Sequence, residues 1–257
     1  ISWGKSLGFT SVGITNTDLS EHEPHLTAWL NKHYHGTMTY MEKHGTKRSR
    51  PQELVPDTIR IISVMLNYQP QTPPTEAELD LPQNAIIARY AWGRDYHKVM
   101  RKKLRQFAHK IQDHVGHLGY RAFCDSAPVL ERALAQKSGL GFIGKNTNLI
   151  STQHGSWYFL GEIFTDIPLV SSEPMTTQHC GSCRACIDVC PTQAIVAPFQ
   201  LDAKRCISYL TIEYKGSIPI ELRPLIGNRV FGCDDCQTIC PWNKFATPTQ
   251  EHDFIPK

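Results

Sequence analysis

The residues best suited to chemistry are cysteines in the C-terminal part of the chain. One run has the spacing C-x2-C-x2-C-x3-C-P and comprises Cys180, Cys183, Cys186 and Cys190. A shorter copy, C-x2-C-x3-C-P, comprises Cys233, Cys236 and Cys240, with Val230 where a full copy would begin. Thiolates at this spacing bind [4Fe–4S] clusters.

The two runs predict how the thiolates divide between two clusters. In paired runs, three closely spaced cysteines hold one cluster and the cysteine before the proline crosses to the other. The first predicted ligand set is Cys180, Cys183, Cys186 and Cys240, and the second is Cys190, Cys206, Cys233 and Cys236. Cys206 enters because no other cysteine lies between the runs, and Cys124 is left over. Structural zinc and disulfides are the alternatives, and the x2-x2-x3 spacing fits zinc poorly.

Composition indicates a soluble globular protein. Of 257 residues, 40% are hydrophobic and 20% charged, and the net charge is only +3, which says little about partners. We expect no transmembrane helix, because no apolar stretch approaches about 18 residues. Cysteines spaced for metal favour a reducing cytoplasm. The sequence starts without a Met or an apolar leader, so we expect a shortened chain that begins inside a helix.

Hydrophobic periodicity predicts a mixed domain ahead of the cysteines. A short opening helix is predicted, then helices at 21–32, 98–115 and 129–137, and strands at 11–14, 60–68, 85–91, 120–125, 148–151 and 157–165. The continuous apolar run at 60–68 is typical of a buried central strand, and 70–82 of a proline-rich acidic loop. We therefore expect an α/β or α+β domain at 1–176, followed by a ferredoxin-like module at 177–257.

The helix predicted at 98–115 has two distinct faces. Its apolar face comprises Met100, Leu104, Phe107, Ala108, Ile111 and Val115. A separate basic stripe comprises Lys98, Arg101, Lys102, Arg105 and His109. Such a stripe is either a solvated face or, in a nucleic-acid enzyme, a set of phosphate contacts.

The size of the first domain argues for catalysis, since an electron carrier needs only the cluster module. No phosphate-binding loop follows a predicted strand. Gly139-x-Gly141-x-x-Gly144 follows a predicted helix, so we interpret it as a turn. Asp125, at the end of a predicted strand, is either a functional acid or a helix N-cap three residues before Pro128.

Six segments carry a resemblance that runs nearly from end to end. They read RDYH (94–97), DSAPVLER (125–132), GLGFIGKN (139–146), LGE (160–162), RCISYL (205–210) and GCDDCQ (232–237). Together they resemble the epoxyqueuosine reductases. That family's longer members continue into a helical tail that helps hold tRNA, whereas this sequence ends at Lys257. We expect either a shortened chain or a smaller tRNA-binding surface.

The resemblance implies a cobalamin-binding domain similar to those of nitroreductases and reductive dehalogenases, beside two [4Fe–4S] clusters. The implied reaction reduces the epoxide of epoxyqueuosine, at the wobble position of tRNA, to queuosine, the last step of queuosine biosynthesis. An external low-potential donor would supply the electrons, and we expect a monomer. The rivals are another cobalamin reductase, such as a reductive dehalogenase, and a ferredoxin-like electron carrier.

The resemblance also implies roles for individual residues. Asp125 matches the family's proton donor. To carry a proton near neutral pH, Asp125 needs a pKa raised by desolvation. In that case Ser126 is expected to cap the following helix. Matching cofactor-pocket positions are Arg48, Tyr96, His97, Asp125, Lys145, Asn146, Leu149, Leu160, Ile163, Ser208 and Asp234. Asp95-x-His97-x-x-Met100 lacks the glycine of the motif that supplies a lower histidine ligand, so we expect base-off cobalamin.

The basic stripe would contact tRNA, extended by Arg121, Arg132, Lys204, Lys215 and Arg229. Cys124 is interpreted as a small buried hydrophobic residue.

Overall fold

The structure is a computed structural model and describes residues 1–71 and 81–255. The acidic, proline-rich loop predicted at 70–82 lies mostly outside the described residues. Within the described ranges, no helix is both long enough and apolar enough to cross a membrane.

Short strands and helices alternate along the chain. The strands are β1 (Ser11–Thr15), β2 (Arg60–Asn67), β3 (Ile86–Ile87), β4 (Tyr120–Phe123), β5 (Phe142–Ile143), β6 (Leu149–Ile150), β7 (Tyr158–Thr165), β8 (Ile195–Ala197), β9 (Gln200–Leu201) and β10 (Arg229–Phe231). The helices are α1 (Ser2–Ser6), α2 (Glu23–Asn31), α3 (Pro51–Leu54), α4 (Tyr96–Val115), α5 (Glu131–Lys137), α6 (Ala185–Asp188), α7 (Ile207–Ile212), α8 (Arg223–Ile226) and α9 (Asp235–Thr238).

An antiparallel sheet in the order β1-β2-β7-β4 forms the centre of the first domain. β2 has neighbours on both sides and six of its eight residues are buried, which confirms the buried central strand. Because helices cover a sheet whose strands pair antiparallel, the domain is α+β, within the predicted class.

Helix α4 covers one face of this sheet. Asp95 caps its first turn by accepting a hydrogen bond from the His97 amide at 3.0 Å, and Gly116 ends the helix at φ +83°. Met100 and Leu104 are fully buried and contribute to the largest apolar cluster, together with Ile163. The predicted apolar face is therefore confirmed except for Val115, which is 45% exposed at the end of the helix.

Helix α5 covers the opposite face. Leu134 packs with Phe123 and Phe164 in a second apolar cluster. The end of the helix lies so close to β1 that a Cβ atom at Gly13 would overlap the Ser138 carbonyl oxygen. This packing places the first residue of α5 over the centre of the sheet.

The cluster module packs directly on the first domain. β10 pairs in parallel with β3, and the Trp29 indole donates a hydrogen bond to the Leu201 carbonyl at 2.7 Å. Helices α6 and α9, which lie within the two cysteine runs, pack against each other. The two copies of the motif are thus neighbours in space.

The chain returns to the first domain after the second cysteine run. The ring of Phe254, which is 4% exposed, lies 5.0 Å from that of Phe159, and the Thr249 amide donates to the Gln69 carbonyl at 2.8 Å. The segment from Ala246 onward, which sequence analysis assigned to the module, thus packs on the first domain and connects the two parts.

Three local predictions were wrong. The strand predicted at 85–91 is only Ile86–Ile87, because its partner β10 is equally short, and a 3-10 turn follows at Arg89–Ala91. The helix predicted at 129–137 begins only at Glu131, so Pro128 lies outside it. Ser126 caps no helix, since no side chain caps the start of α5.

Truncating the apolar face of α4 should destabilise the first domain. Leu104→Ala removes a fully buried side chain and should cost about 2–5 kcal/mol, lowering Tm by roughly 5 °C or more. Gln106→Ala, on the exposed side of the same helix, is the matched control and should stay within about 0.5 kcal/mol. Thermal unfolding of the cluster-loaded protein followed by circular dichroism checks both. Equal Tm values for the two variants would contradict this packing.

Candidate functional site

The first set of cysteines lines a cavity of about 270 Å³, into which Cys180, Cys183, Cys186 and Cys240 all face. Cys183 is the most open of the four, and the other three are half-buried. Burial raises the pKa of the Cys186 thiol to about 11, and the other three thiols add to the shift.

The second set lies against the first domain. Burial raises the pKa of the Cys236 thiol, and the nearby thiols of Cys233, Cys206, Cys186 and Cys190 raise it further. Cys206 immediately precedes α7, and Cys190 accepts a hydrogen bond from the Ala194 amide at 3.2 Å. The cysteines of the two runs and Cys206 thus lie near one another, and their division into two crossed sets stays a prediction.

Asp125 follows the end of β4 and adopts a left-handed backbone conformation, with φ +59°. This conformation costs a non-glycine residue on the order of 1 kcal/mol or more, although aspartate tolerates it better than most. Since α5 begins six residues later without a side-chain cap, Asp125 is not an N-cap. That alternative interpretation is wrong.

The Asp125 carboxylate is bound by two side chains from the first turn of α4. Its Oδ2 accepts a hydrogen bond from Tyr96 Oη at 2.8 Å and lies 3.0 Å from His97 Nε2. The side chain is nevertheless 58% exposed. The structure thus presents an anchored carboxyl group to an open space.

His97 links Asp125 to the helix cap. Its Nδ1 lies 2.9 Å from Asp95 Oδ1, and this hydrogen bond keeps the pKa of Asp95 below its usual range. Asp95, as an anion, accepts the hydrogen bond from Nδ1–H, which leaves Nε2 facing Asp125. Asp95, His97 and Asp125 thus form a hydrogen-bonded chain.

Aromatic rings connect Asp125 to the second cysteine run. Tyr96 stacks on Phe159, with parallel rings 4.1 Å apart, and Tyr90 lies 6.1 Å from Tyr96 and 6.2 Å from Phe231. Phe231 lies two residues before Cys233. Burial, together with the charges of Asp125 and Asp234, raises the pKa of Tyr90 to about 12, so this phenol stays neutral.

Two arginines hold the loop that follows Asp125. Arg48, 7% exposed, donates to the Tyr40 carbonyl at 3.0 Å and approaches the Ala127 carbonyl at 3.5 Å. Burial lowers its pKa. Arg101 donates to the Ser126 hydroxyl at 2.6 Å. Sequence analysis placed Arg101 in the basic stripe and missed this contact, which only the tertiary structure creates.

Three further predicted residues hold the cluster loops. Lys145 donates to the carbonyls of Gly181 and Cys183 at 2.7 and 2.8 Å, and Asn146 donates to the Cys236 carbonyl at 3.1 Å. Asp234 accepts from the Arg89 amide at 2.8 Å, and burial raises its pKa to about 6. These side chains join the two parts of the protein.

The apolar positions divide between the two faces of the sheet. Leu149 and Leu160 line a cavity of about 120 Å³ near Gln237 of α9. Ile163 is fully buried under α4, because residues three apart on a strand point to opposite faces. Its prediction as a pocket residue is not supported by this position. Ser208 is half-buried in α7, just after Cys206, and Cys124 is 2% exposed, as expected.

The basic stripe starts beside the candidate site. Lys98, Lys102 and Arg105 are exposed along α4, which begins at Tyr96 and His97. Arg229, a proposed extension of the stripe, is engaged with Asp235 at 2.7 Å instead. Arg132 donates to the backbone and hydroxyl of Thr147. The stripe itself therefore remains the best candidate for phosphate contacts.

Comparison with known proteins defines first the class and then the family. Residues 179–243 match the family model described as a 4Fe-4S double cluster binding domain, so the chain is an iron–sulfur protein.

Residues 48–126 match the model described as Epoxyqueuosine reductase QueG, DUF1730. The chain is 59% identical over 255 residues to the epoxyqueuosine reductase of Pseudomonas aeruginosa, covering 99% of this chain and 71% of that protein. For the Escherichia coli enzyme the identity is 54%, with 99% and 67% covered. The chain belongs to the epoxyqueuosine reductase family.

Solved structures agree with this assignment. A crystal structure of an epoxyqueuosine reductase with an epoxyqueuosine-modified tRNA stem loop matches with TM-score 0.89 and 33% identity, covering 100% of this chain and 67% of that one. An epoxyqueuosine reductase from Bacillus subtilis, whose aspartate-containing catalytic loop has swung out of the active site, matches with TM-score 0.86, 33% identity and the same coverage. A catabolic reductive dehalogenase, 15% identical with TM-score 0.59 over 94% of this chain and 31% of that one, shares the fold alone.

Removing one predicted ligand should remove one cluster. Cys206→Ser should lower the iron content of anaerobically reconstituted protein from about eight to about four irons per chain, because the second set loses a thiolate. Cys124→Ala, the matched control, should keep all of its iron. Iron and sulfide analysis checks both variants. Full iron content in Cys206→Ser would exclude this cysteine from the ligands.

Proposed function

We propose that the protein reduces the epoxide of epoxyqueuosine in tRNA to the alkene of queuosine, using cobalamin and two [4Fe–4S] clusters. The observation that carries this proposal is the Asp125 carboxyl group, which is held by Tyr96 and His97, open to a ligand, and linked through Tyr90 to the second cysteine run. The names of the relatives support the substrate, as does the modified stem loop bound to one of them.

Asp125 is proposed as the proton donor. Removing the epoxide oxygen as water takes two electrons and two protons, and the oxygen leaves poorly unless it is protonated. With Asp95 holding the Nδ1 proton of His97, a neutral imidazole accepts from the Asp125 carboxyl group, which then carries the transferable proton. The catalytic loop named for the Bacillus subtilis relative also contains an aspartate.

The residues around Asp125 fit a cobalamin bound without a protein histidine on cobalt. Both nitrogens of His97 are engaged by carboxylates, which leaves neither free to bind cobalt. Reduced cobalamin, when bound, would supply the electrons for reducing the strained epoxide. We propose that Tyr96, His97 and Asp125 face the corrin, that Leu149 and Leu160 border it, and that five other residues support this pocket from its walls. Those five are Arg48, Lys145, Asn146, Ser208 and Asp234.

We propose a division into a catalytic domain at 1–176 and a cluster module at 177–257. Cys183 is the most exposed of the cluster cysteines, so an external low-potential donor reaches the first cluster, and the second passes electrons inward. The tight packing of residues 246–254 on the first domain keeps the two parts together. A monomer contains all of these parts. We place the reaction in the cytoplasm, where tRNA is found.

Asp125→Asn should abolish proton donation while preserving the cofactors. An amide of the same shape cannot supply the proton, so single-turnover reduction of epoxyqueuosine tRNA should slow by about 10²–10⁴-fold. The control is Asp113→Asn, an exposed position near the far end of α4. Rates are measured with pre-reduced enzyme, alongside the cluster and corrin spectra. An unchanged rate in Asp125→Asn would remove this residue as the donor.

Reversing charge on the basic stripe should weaken tRNA binding through its salt dependence. Lys102→Glu with Arg105→Glu should lower the magnitude of the slope of log K against log salt by about 1.4–1.8, the loss of two phosphate contacts. Arg101 is left intact, because it also holds the Asp125 loop. Lys5→Glu with Lys110→Glu changes the net charge equally at exposed positions outside the stripe. Equal slopes for the two double variants would assign the stripe to solvation.

A further inference from the structure

Two carboxyl groups lie beneath the Asp125 loop and take no part in the proposed reaction, the fully buried Glu162 and the half-buried Glu131. Glu162 is opposite Phe123 of β4 and Ser63 of β2, on the face of the sheet that α5 covers, and its exposure is 0%. Within the described ranges, neither oxygen of Glu162 has a hydrogen-bond partner, and neither does the buried Ser63 hydroxyl. An ionised carboxylate left without a donor in this position would be strongly unfavourable.

Glu131 is the first residue of α5 and faces the same space. Its Oε1 accepts a hydrogen bond from the Asp125 amide at 2.6 Å, which is short even for a bond to an ionised acceptor. The other charged or titratable groups that act on it are Glu162, Arg132, Arg48 and the neighbouring Cys124. Glu131 therefore contacts the loop that carries the proposed donor through its backbone.

The surroundings of the two acids favour different protonation states. Burial raises the pKa of Glu162 well above its usual range, and the adjacent Glu131 raises it further. Burial also raises the pKa of Glu131, whereas the Asp125 amide favours its ionised form. Burial and the neighbouring acid therefore favour the protonated form of Glu162, whereas the hydrogen bond from the Asp125 amide favours the ionised form of Glu131.

We propose that Glu131, which accepts the Asp125 amide and lies beside the buried Glu162, is a positioning residue that fixes the Asp125 loop for proton delivery. The inference rests on the proposed function, in which Asp125 is the donor. Arg48 and Arg101 hold the loop further along, at Ala127 and Ser126, whereas Glu131 alone among the described contacts binds the Asp125 amide itself. Without that acceptor, the left-handed conformation at Asp125 loses its anchor, and the carboxyl group leaves the position that Tyr96 and His97 define.

Paired substitutions at Glu131 test this role. Glu131→Met keeps the length of the side chain but accepts no hydrogen bond, and should lower kcat by about 10- to 100-fold with little change in KM for tRNA. Glu131→Gln retains an acceptor oxygen and should recover most of that loss. The Tm of Glu131→Met should not fall, because replacing a half-buried acid by an apolar side chain relieves desolvation. If Glu131 were only structural, its substitution would instead lower Tm, and the kcat values of Glu131→Met and Glu131→Gln would differ little.

Three results would overturn the assignment: wild-type kcat in Glu131→Met, equal losses in Glu131→Met and Glu131→Gln, or a change confined to KM. Should Glu131→Met not fold, hydrogen exchange of the Asp125 amide in Glu131→Ala, which also lacks an acceptor, gives a second test. Exchange should be faster than in the wild type, and an unchanged rate would contradict the proposal. The proposed function fails separately, if the wild type does not reduce epoxyqueuosine tRNA or if Asp125→Asn keeps its rate in the same assay.

Discussion

The antiparallel pairing of β4 with β7 sets the position of every group at the site. It places Phe123 opposite Glu162, so that Asp125 emerges just past the edge of the sheet with a buried acid below it. The same strand β7 carries Phe159, on which Tyr96 stacks, and this contact aims the first turn of α4 at the Asp125 carboxyl group. A one-residue slip would turn Glu162 toward α4 and Ile163 toward α5, dismantling both faces at once.

Electron delivery depends on how rigidly the cluster loops are held against this sheet. Lys145 and Asn146 of the first domain donate hydrogen bonds to the cluster loops, and Asp234 of the module accepts one from the Arg89 amide of the first domain. Arg89 in turn lies over the ring of Trp157, 4.3 Å from its centre. Asn146 and Arg89 are buried, so their contacts are little weakened by solvent screening, whereas the Lys145 contacts lie at the surface. The buried contacts therefore contribute most to holding the cluster loops against the sheet.

Sequence reasoning predicted what local patterns encode. Cysteine spacing predicted the double cluster domain that the family comparison shows, the apolar periodicity of α4 predicted its buried face, and the run at β2 predicted the central strand. Sequence reasoning was wrong where tertiary contacts decide the outcome. Pro128 suggested a helix start, yet α5 begins at Glu131, whose side chain accepts the Asp125 amide. Ile163 was grouped with Leu160, although strand alternation separates them. Arg101 had the periodicity of a surface stripe, and nothing in the sequence indicated that its guanidinium would reach Ser126.

The cap of α4 also determines where a proton resides. Asp95 accepts from the His97 amide and from its Nδ1, so capping the helix and choosing the imidazole tautomer are one interaction. With Nδ1 committed to Asp95, Nε2 faces Asp125 Oδ2 at 3.0 Å. In the proposed mechanism, His97 is therefore the group that exchanges a proton with Asp125, and Glu131 positions the backbone of Asp125 through its amide.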